Sequence, residues 1–264
     1  MVLALLRRIA FGRRMAAGAM PRLPDGRELL IGASDSRALI GGSAWPLAAA
    51  LCRHLLTERS SLRLSSGVPT LELGAGTGAV GLFAAALGAR CVLTELQPPR
   101  AAALAVSYSG DGELELPAGF SRGLLELLER NVAANRGLYA EAPVVLELDW
   151  TDPSHVERAR LSSGGAGFEL LLASDVTYQC ELHAPLARAI ARTLHRAKGV
   201  ALVAHERRRS DWAGKDIQLR SFVIAAEGAG LHAEVSELRV PQAGSYGSLI
   251  RLSHRREGGE REGG

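Results

Sequence analysis

Apolar and polar positions along this chain follow two alternating periods. Short, nearly continuous apolar runs at Val68–Leu73, Arg90–Glu95, Val144–Leu148, Phe168–Ala173 and Val200–His205 predict buried strands. Between several of them the apolar residues recur at three- and four-residue spacing, which predicts helices over Ala79–Leu87, Leu124–Val132 and Pro185–Arg196. In the second of these Glu126 faces Arg130 one turn on. Strands alternating with helices build a parallel sheet covered on both faces. Asp216–Ala229 reads as a further helix, stopped by Gly230. Leu231–Val240 and Ser248–Ser253 have no helical stretch between them and read as antiparallel strands closing the sheet.

Upstream of the sheet, Arg27–Ile31 and Ala38–Ile40 flank a polar turn at Ser34-Asp35-Ser36, the pattern of a hairpin. Ser43 reads as a helix cap and Pro46 suits the first turn of a helix whose Leu47, Leu51 and Leu55 share one face. The predicted fold class is therefore α/β. It is a Rossmann-like, seven-stranded, mostly parallel sheet with helices on both faces, an antiparallel final strand and an N-terminal hairpin and helix. Residues 25–254 form the expected single domain, with 1–24 a basic extension. The stretch 98–120 reads as a surface insertion, because Pro98-Pro99, Ser109-Gly110-Asp111-Gly112 and Pro117 break any regular element. Residues 255–264 lack apolar residues and are expected to be disordered.

Candidate chemistry gathers where predicted strands end. Val68–Leu73 runs into Gly74-Ala75-Gly76-Thr77-Gly78 and then a small-residue helix. Strand, glycine turn and helix together set a helix N-terminus beside a ligand, and glycine lets the backbone approach without a Cβ. Gly76, Gly78 and Gly81 also satisfy the dinucleotide spacing, so a nicotinamide is one reading. Glu72, inside the end of the first strand, favours instead a cationic, amine-bearing cofactor, since a pyrophosphate gains nothing from a carboxylate there. Glu95 ends the second strand, where a carboxylate accepts from both hydroxyls of a ribose. Asp149-Trp150 ends the third, where an indole stacks on an adenine and the acid accepts from its amine. Ser174-Asp175-Val176-Thr177-Tyr178 follows the fourth, a position where loops carry chemistry.

Totals narrow the classes. The chain has 264 residues, 47% hydrophobic and 22% charged, which suits one soluble domain with a sizeable core. A net charge of +3 leaves no strong nucleic-acid footprint. Lys198 and Lys215 are the only lysines, which argues against self-modification as a main activity. Cys52, Cys91 and Cys180 are widely spaced, show no metal-ligand pattern and fit a reducing compartment. No apolar run is long enough to span a bilayer. Arg7, Arg8, Arg13 and Arg14, with no acid before Asp25, read as a mitochondrial presequence, a disordered extension or an upstream start. The expected setting is cytoplasmic, with mitochondrion and nucleus as alternatives, and the expected state is a monomer.

Taken together, several separated pieces resemble a known family. They are Trp45-Pro46 with its Leu/Ala helix, Leu71-Glu72-Leu73-Gly74-Ala75-Gly76-Thr77-Gly78, Leu124–Asn135, Leu148-Asp149-Trp150, Ala173–Tyr178 and His205-Glu206-Arg207-Arg208. The set is similar to the class I (seven-β-strand) S-adenosylmethionine (SAM) methyltransferases. Within them it resembles the family-16 protein methyltransferases, which include lysine methyltransferases acting on chaperones, valosin-containing protein and elongation factors. The likeness runs from about residue 28 to 253; the glycine motif is generic, whereas the D-x-x-Y step and the Trp150 position are more specific. The resemblance implies SAM as cofactor, contacted by Trp45, Gly74, Ala75, Gly76, Glu95, Trp150 and Ser174. It implies that Asp175 and Tyr178 line the pocket where the methyl group meets the nitrogen of a protein substrate. Glu95 departs from the usual Asp, and the 98–120 insertion has no counterpart, so no protein target is borrowed. A small-molecule or nucleic-acid methyltransferase and a catalytically silent SAM-fold binding protein are the rival readings; no N/D-P-P-Y step follows the fourth strand.

Overall fold

The computed structural model describes residues 20–33, 46–96, 123–207, 216–240 and 245–255. Its strands are β1 (Pro69–Leu73), β2 (Arg90–Glu95), β3 (Val144–Glu147), β4 (Leu170–Ser174), β5 (Val200–Glu206), β6 (Leu231–Val240) and β7 (Ser245–His254). They form one seven-stranded sheet in the order β3-β2-β1-β4-β5-β7-β6. β1 to β5 are parallel, and β7 lies antiparallel between β5 and β6. The chain builds outward from β1 through β2 to β3, then returns to the other side of β1 for β4. That reversal makes a topological switch point at the carboxyl ends of β1 and β4, the place where open α/β sheets bind ligands.

The described helices are α1 (Pro46–Thr57), α2 (Ala79–Ala86), α3 (Gly123–Ala134), α4 (Pro153–Leu161), α5 (His183–Thr193) and α6 (Ile217–Gly228). Alternate strand residues serve opposite cores. Leu93, Leu170, Leu172 and Leu202 pack with Leu51 and Leu55 of α1, Leu82 and Phe83 of α2 and Leu128 of α3. Leu71, Leu73, Leu171 and Val203 pack on the other face with Leu186 and Ile190 of α5 and Phe222 of α6. Each such leucine or phenylalanine contributes about 1.5–3 kcal/mol through burial. Two-sided burial explains why the parallel strands read as continuous apolar runs rather than alternating ones.

Two elements differ from the sequence expectation. α4 was not foreseen, because it buries little beyond Val156 and Ala159. Its start is nonetheless written in the chain: Asp152 caps it by accepting from Ser154 N–H at 2.9 Å, and Pro153 follows. The hairpin arm at Arg27–Ile31 is not a strand. Its backbone pairs with side chains instead. Leu30 N–H donates to Asn135 Oδ1 and Asn135 Nδ2 donates back to the Leu30 carbonyl, both at 2.8 Å. Asn131 repeats the arrangement one turn earlier with Gly32, accepting at 2.9 Å and donating at 3.1 Å, and also donates to the Thr77 carbonyl at 2.8 Å. Two amides at i, i+4, one on α3 and one just past its end, thus substitute for a neighbouring strand. The other arm, Ala38–Ile40, lies outside the described residues, as do Ser34-Asp35-Ser36, Ser43, Trp45, residues 1–19, the 98–120 insertion and residues 256–264.

Asn131 is 3% exposed, so its loss strands buried backbone groups. Asn131→Leu is expected to lower stability by about 2–3 kcal/mol, read from urea unfolding. An unchanged midpoint would show that these bonds are exchanged for water without cost.

Candidate active site

The glycine turn after β1 is where the site begins. Gly74, Gly76 and Gly78 all adopt left-handed backbone, with φ of 63°, 54° and 79°. Side-chain-bearing residues reach that region only at a cost of about 1–2 kcal/mol each. The turn is tied to β2: Ala75 N–H donates to the Thr94 carbonyl at 2.9 Å, and Thr94 Oγ1 donates to the Glu72 carbonyl at 2.6 Å. Ala75 is consequently buried. Gly81 has a different job. A Cβ there would stand 2.2 Å from Leu93 Cδ2 and 2.5 Å from Glu72 Oε2, so its absence lets α2 lie close on the sheet.

Glu95 ends β2 and reaches across to the turn. Its Oε2 accepts from Gly76 N–H at 2.7 Å and its Oε1 from Leu96 N–H at 2.8 Å. Burial lifts the carboxyl above the ordinary glutamate range, and the N–H groups of Leu96 and Gly76 pull it back. Trp150 approaches the same turn from the end of β3. Its Cζ2 lies 3.3 Å from where a Cβ of Gly74 would stand, and Val176 Cγ1 lies 2.8 Å from that point. Glu95, Trp150 and the glycines therefore meet in one place, at neighbouring strand ends.

One acid, Glu72, is placed differently from the expectation, and a second, Asp149, gives part of its carboxylate to its own loop. Glu72 does not face outward; it is 2% exposed, and its Oε2 accepts from Gly81 N–H at 2.9 Å inside the first turn of α2. A buried carboxylate needs a donor, and a free helix-terminal N–H is the nearest one. Asp149 turns one oxygen back on its own loop, where Oδ1 accepts from Thr151 N–H at 2.8 Å and from Thr151 Oγ1 at 2.6 Å. That oxygen holds the turn.

Burial pushes Glu72 up from 4.5 to about 8, opposed by the Gly81 N–H and assisted by Glu95. The folded state then binds more protons than the unfolded chain between these values, so this group makes stability fall as pH rises from 4.5 towards 8. Glu72→Gln, which still accepts from Gly81, is expected to flatten that slope in thermal unfolding measured against pH. A slope identical to that of the unaltered chain would assign the effect elsewhere.

β4 pairs with β1, Leu73 opposite Ala173, and so brings Ser174 and Asp175 to the same edge as the glycine turn. The Ser174 hydroxyl is buried with no hydrogen-bond partner among the described residues. Asp175 adopts φ 62°, and its N–H donates to the Ala204 carbonyl at 2.9 Å. A non-glycine residue held there stores strain on the order of 1 kcal/mol, which persists only where neighbours over-determine it. Tyr178 is half-buried and its carbonyl accepts from Gln218 Nε2 at 2.6 Å. Trp45 lies outside the described residues.

Sequence reasoning missed the groups behind this loop, among them Thr177, His183, His205 and Asp216. The available signal was a lone histidine at the end of an otherwise apolar strand, which marks a buried polar group in need of partners.

A family model described as lysine methyltransferase matches residues 25–106 and 118–214. Protein-lysine methyltransferase METTL21E of Mus musculus is 28% identical over 154 residues, 58% of this chain and 50% of its own length. The chain thus spans about half the length of the curated relative it matches. Among solved structures, magnesium protoporphyrin IX methyltransferase from Synechocystis PCC 6803 with bound SAM superposes with a TM-score of 0.52 at 11% identity, covering 96% of this chain and 91% of that one. A methyltransferase from Pyrococcus furiosus gives 0.51 at 13% identity, covering 96% and 97%. Identities this low speak to fold alone.

Proposed function

The chain belongs to the lysine methyltransferase family, and on that premise we propose that it transfers the methyl group of SAM to a lysine side chain of another protein. The observation that carries the reading is the meeting of Glu95 and Trp150 at the glycine turn: Glu95 Oε2 lies 2.7 Å from Gly76 N, with the indole beside Gly74. A carboxylate, an indole edge and a bare backbone suit a ribose, an adenine and a close-lying tail. The Ser174 hydroxyl, buried without a partner among the described residues, adds one polar group suited to a ligand.

When bound, SAM supplies an activated methyl group. The chain's own residues have five tasks. Gly74 and Gly76 admit the cofactor; Glu95 accepts from the ribose hydroxyls; Trp150 covers the base. Asp175 holds and orients the incoming ammonium, and Tyr178 packs on its methylene stem. A lysine titrates near ~10.4 in water and must shed a proton before its nitrogen attacks. Burial beside the site disfavours the charged form and helps it do so. Positioning in a dry crevice supplies the rest.

We take the chain to work as a monomer on a protein substrate, in a reducing compartment such as the cytoplasm; Cys52, Cys91 and Cys180 as free thiols support the compartment. Incubating the full chain with isotope-labelled SAM and a cell lysate, followed by mass spectrometry, tests the activity. Label on a lysine of one or a few proteins is the expected result. Label confined to nucleic acid or small molecules would replace the acceptor class.

A further inference from the structure

Behind the loop that follows β4 runs a chain of buried polar groups with no part in the reading above. Thr177 Oγ1 meets His205 Nδ1 at 2.6 Å, and His205 Nε2 meets Asp216 Oδ2 at 2.9 Å. Thr177 and His205 are each 1% exposed and Asp216 is 6% exposed. The other oxygen of Asp216 caps α6 by accepting from Leu219 N–H at 2.9 Å. A second line runs beside the first. His183 Nε2 donates to the Thr177 carbonyl at 3.0 Å, and its Nδ1 meets Ser221 Oγ at 3.0 Å. Burial depresses the His183 imidazole, which favours the neutral ring.

With a neutral imidazole the first line has one direction. A carboxylate only accepts, so His205 Nε2–H donates to Asp216. In that neutral ring Nδ1 keeps its lone pair and accepts from the Thr177 hydroxyl. The arrangement has the order of an acid–imidazole–hydroxyl triad, yet a hydroxyl this deeply buried cannot attack a substrate. Mere filling of space would not explain it either, since apolar side chains of similar volume avoid the desolvation cost. What the groups hold is informative. Asp175, two residues before Thr177, sits at φ 62° and is anchored on one side by its N–H to Ala204. Val176 packs against Gly74 of the glycine turn. Thr177 is the anchor on the other side.

We propose that Thr177, His205 and Asp216 are positioning residues for methyl transfer: they lock the loop after β4 so that Asp175 keeps its left-handed backbone and a fixed carboxyl direction towards the acceptor nitrogen. The proposal rests on the function proposed above. It separates two roles that share one loop, with Asp175 meeting the substrate and the buried line aiming it. Slack in the line should therefore reduce turnover without reducing cofactor affinity.

The test uses the full chain, SAM, and the acceptor protein that the unaltered chain methylates. Thr177→Val removes the hydroxyl at nearly constant shape, and Thr177→Ser restores it. Asp216→Asn keeps an oxygen for Leu219 N–H but presents N–H to His205 Nε2, which reverses the line. For Thr177→Val and Asp216→Asn the expected result is a fall in kcat of about 10- to 100-fold, the scale of a misplacement near 1 Å. The dissociation constant for S-adenosylhomocysteine and the acceptor KM are expected to stay within about threefold, because neither binding step uses these side chains. Thr177→Ser should retain kcat within about threefold. Nitrogen NMR of His205 should show the ring proton moving from Nε2 to Nδ1 in Asp216→Asn. Should Thr177→Val fail to fold, Asp216→Asn alone decides the matter. Full kcat in either folded variant overturns the proposal, as does cofactor affinity that falls in step with kcat. An unaltered chain that labels no protein overturns the proposed function itself, and that result is distinct from an active chain with an equally active Thr177→Val.

Discussion

Asp175→Ala is expected to reduce methyl transfer by about 10²-fold or more while leaving S-adenosylhomocysteine affinity unchanged. Asp175 follows β4 at the edge shared with the glycine turn, where an acceptor nitrogen would arrive beside the cofactor. Its carboxyl group offers the charge that holds an ammonium in line. The backbone complicates the experiment, because Asp175 sits at φ 62° and alanine tolerates that region less well than aspartate. Asp175→Asn separates the two effects. Asparagine accepts left-handed backbone and keeps the shape, so it loses only the charge. If charge is what matters, both variants lose turnover. If backbone geometry is what matters, the asparagine variant stays active. Binding is read by isothermal titration and turnover by label incorporation. Unchanged turnover in both variants would remove Asp175 from the mechanism.

Gly76→Arg is expected to weaken S-adenosylhomocysteine binding by at least about 10²-fold, a loss near 2.7 kcal/mol. Gly76 sits at φ 54° and gives its N–H to Glu95 Oε2 at 2.7 Å. Arginine there fills the space a cofactor must enter, adds left-handed strain, and sets a guanidinium beside the carboxylate meant for the ribose. The sheet should survive. The turn projects from the end of β1, and Leu71 and Leu73, which anchor that strand, remain fully buried. Circular dichroism should therefore match the unaltered chain. Gly76→Ala, which adds strain and little volume, should fall between the two. Normal affinity in Gly76→Arg would place the cofactor elsewhere.

The strands and helices were legible because two-sided burial writes long apolar runs and helix faces into the chain. β2 and β6 begin and end at the expected residues. β3 and β5 shift by one residue at a single end, and β7 extends beyond Ser248–Ser253 in both directions. α4 escaped because Val156 and Ala159 make too narrow an apolar stripe to be read as a period. The false hairpin arm at Arg27–Ile31 shows the opposite failure. Its residues have the alternation of a strand, but the groups that satisfy its backbone are Asn131 and Asn135, a hundred residues away in the chain. No local pattern announces such partners.

The placement of the candidate site residues was legible where they sit at strand ends, since position in a parallel sheet already brings Glu95, Trp150 and Ser174 to one edge. Side-chain direction was not legible. Glu72 is two residues from the glycines, yet it turns into α2 because Gly81 N–H is the donor within reach of a buried carboxylate. Asp149 spends an oxygen on Thr151 for the same kind of reason. The Thr177–His205–Asp216 line joins three segments distant in sequence, and only the fold brings them into contact.

The most direct test of the account is isothermal titration of the full chain with S-adenosylhomocysteine and, separately, with NADH. Saturable one-site binding of S-adenosylhomocysteine that is lost in Gly76→Arg, with no binding of NADH, is the expected result. Saturable binding of NADH, with none of S-adenosylhomocysteine, would contradict it.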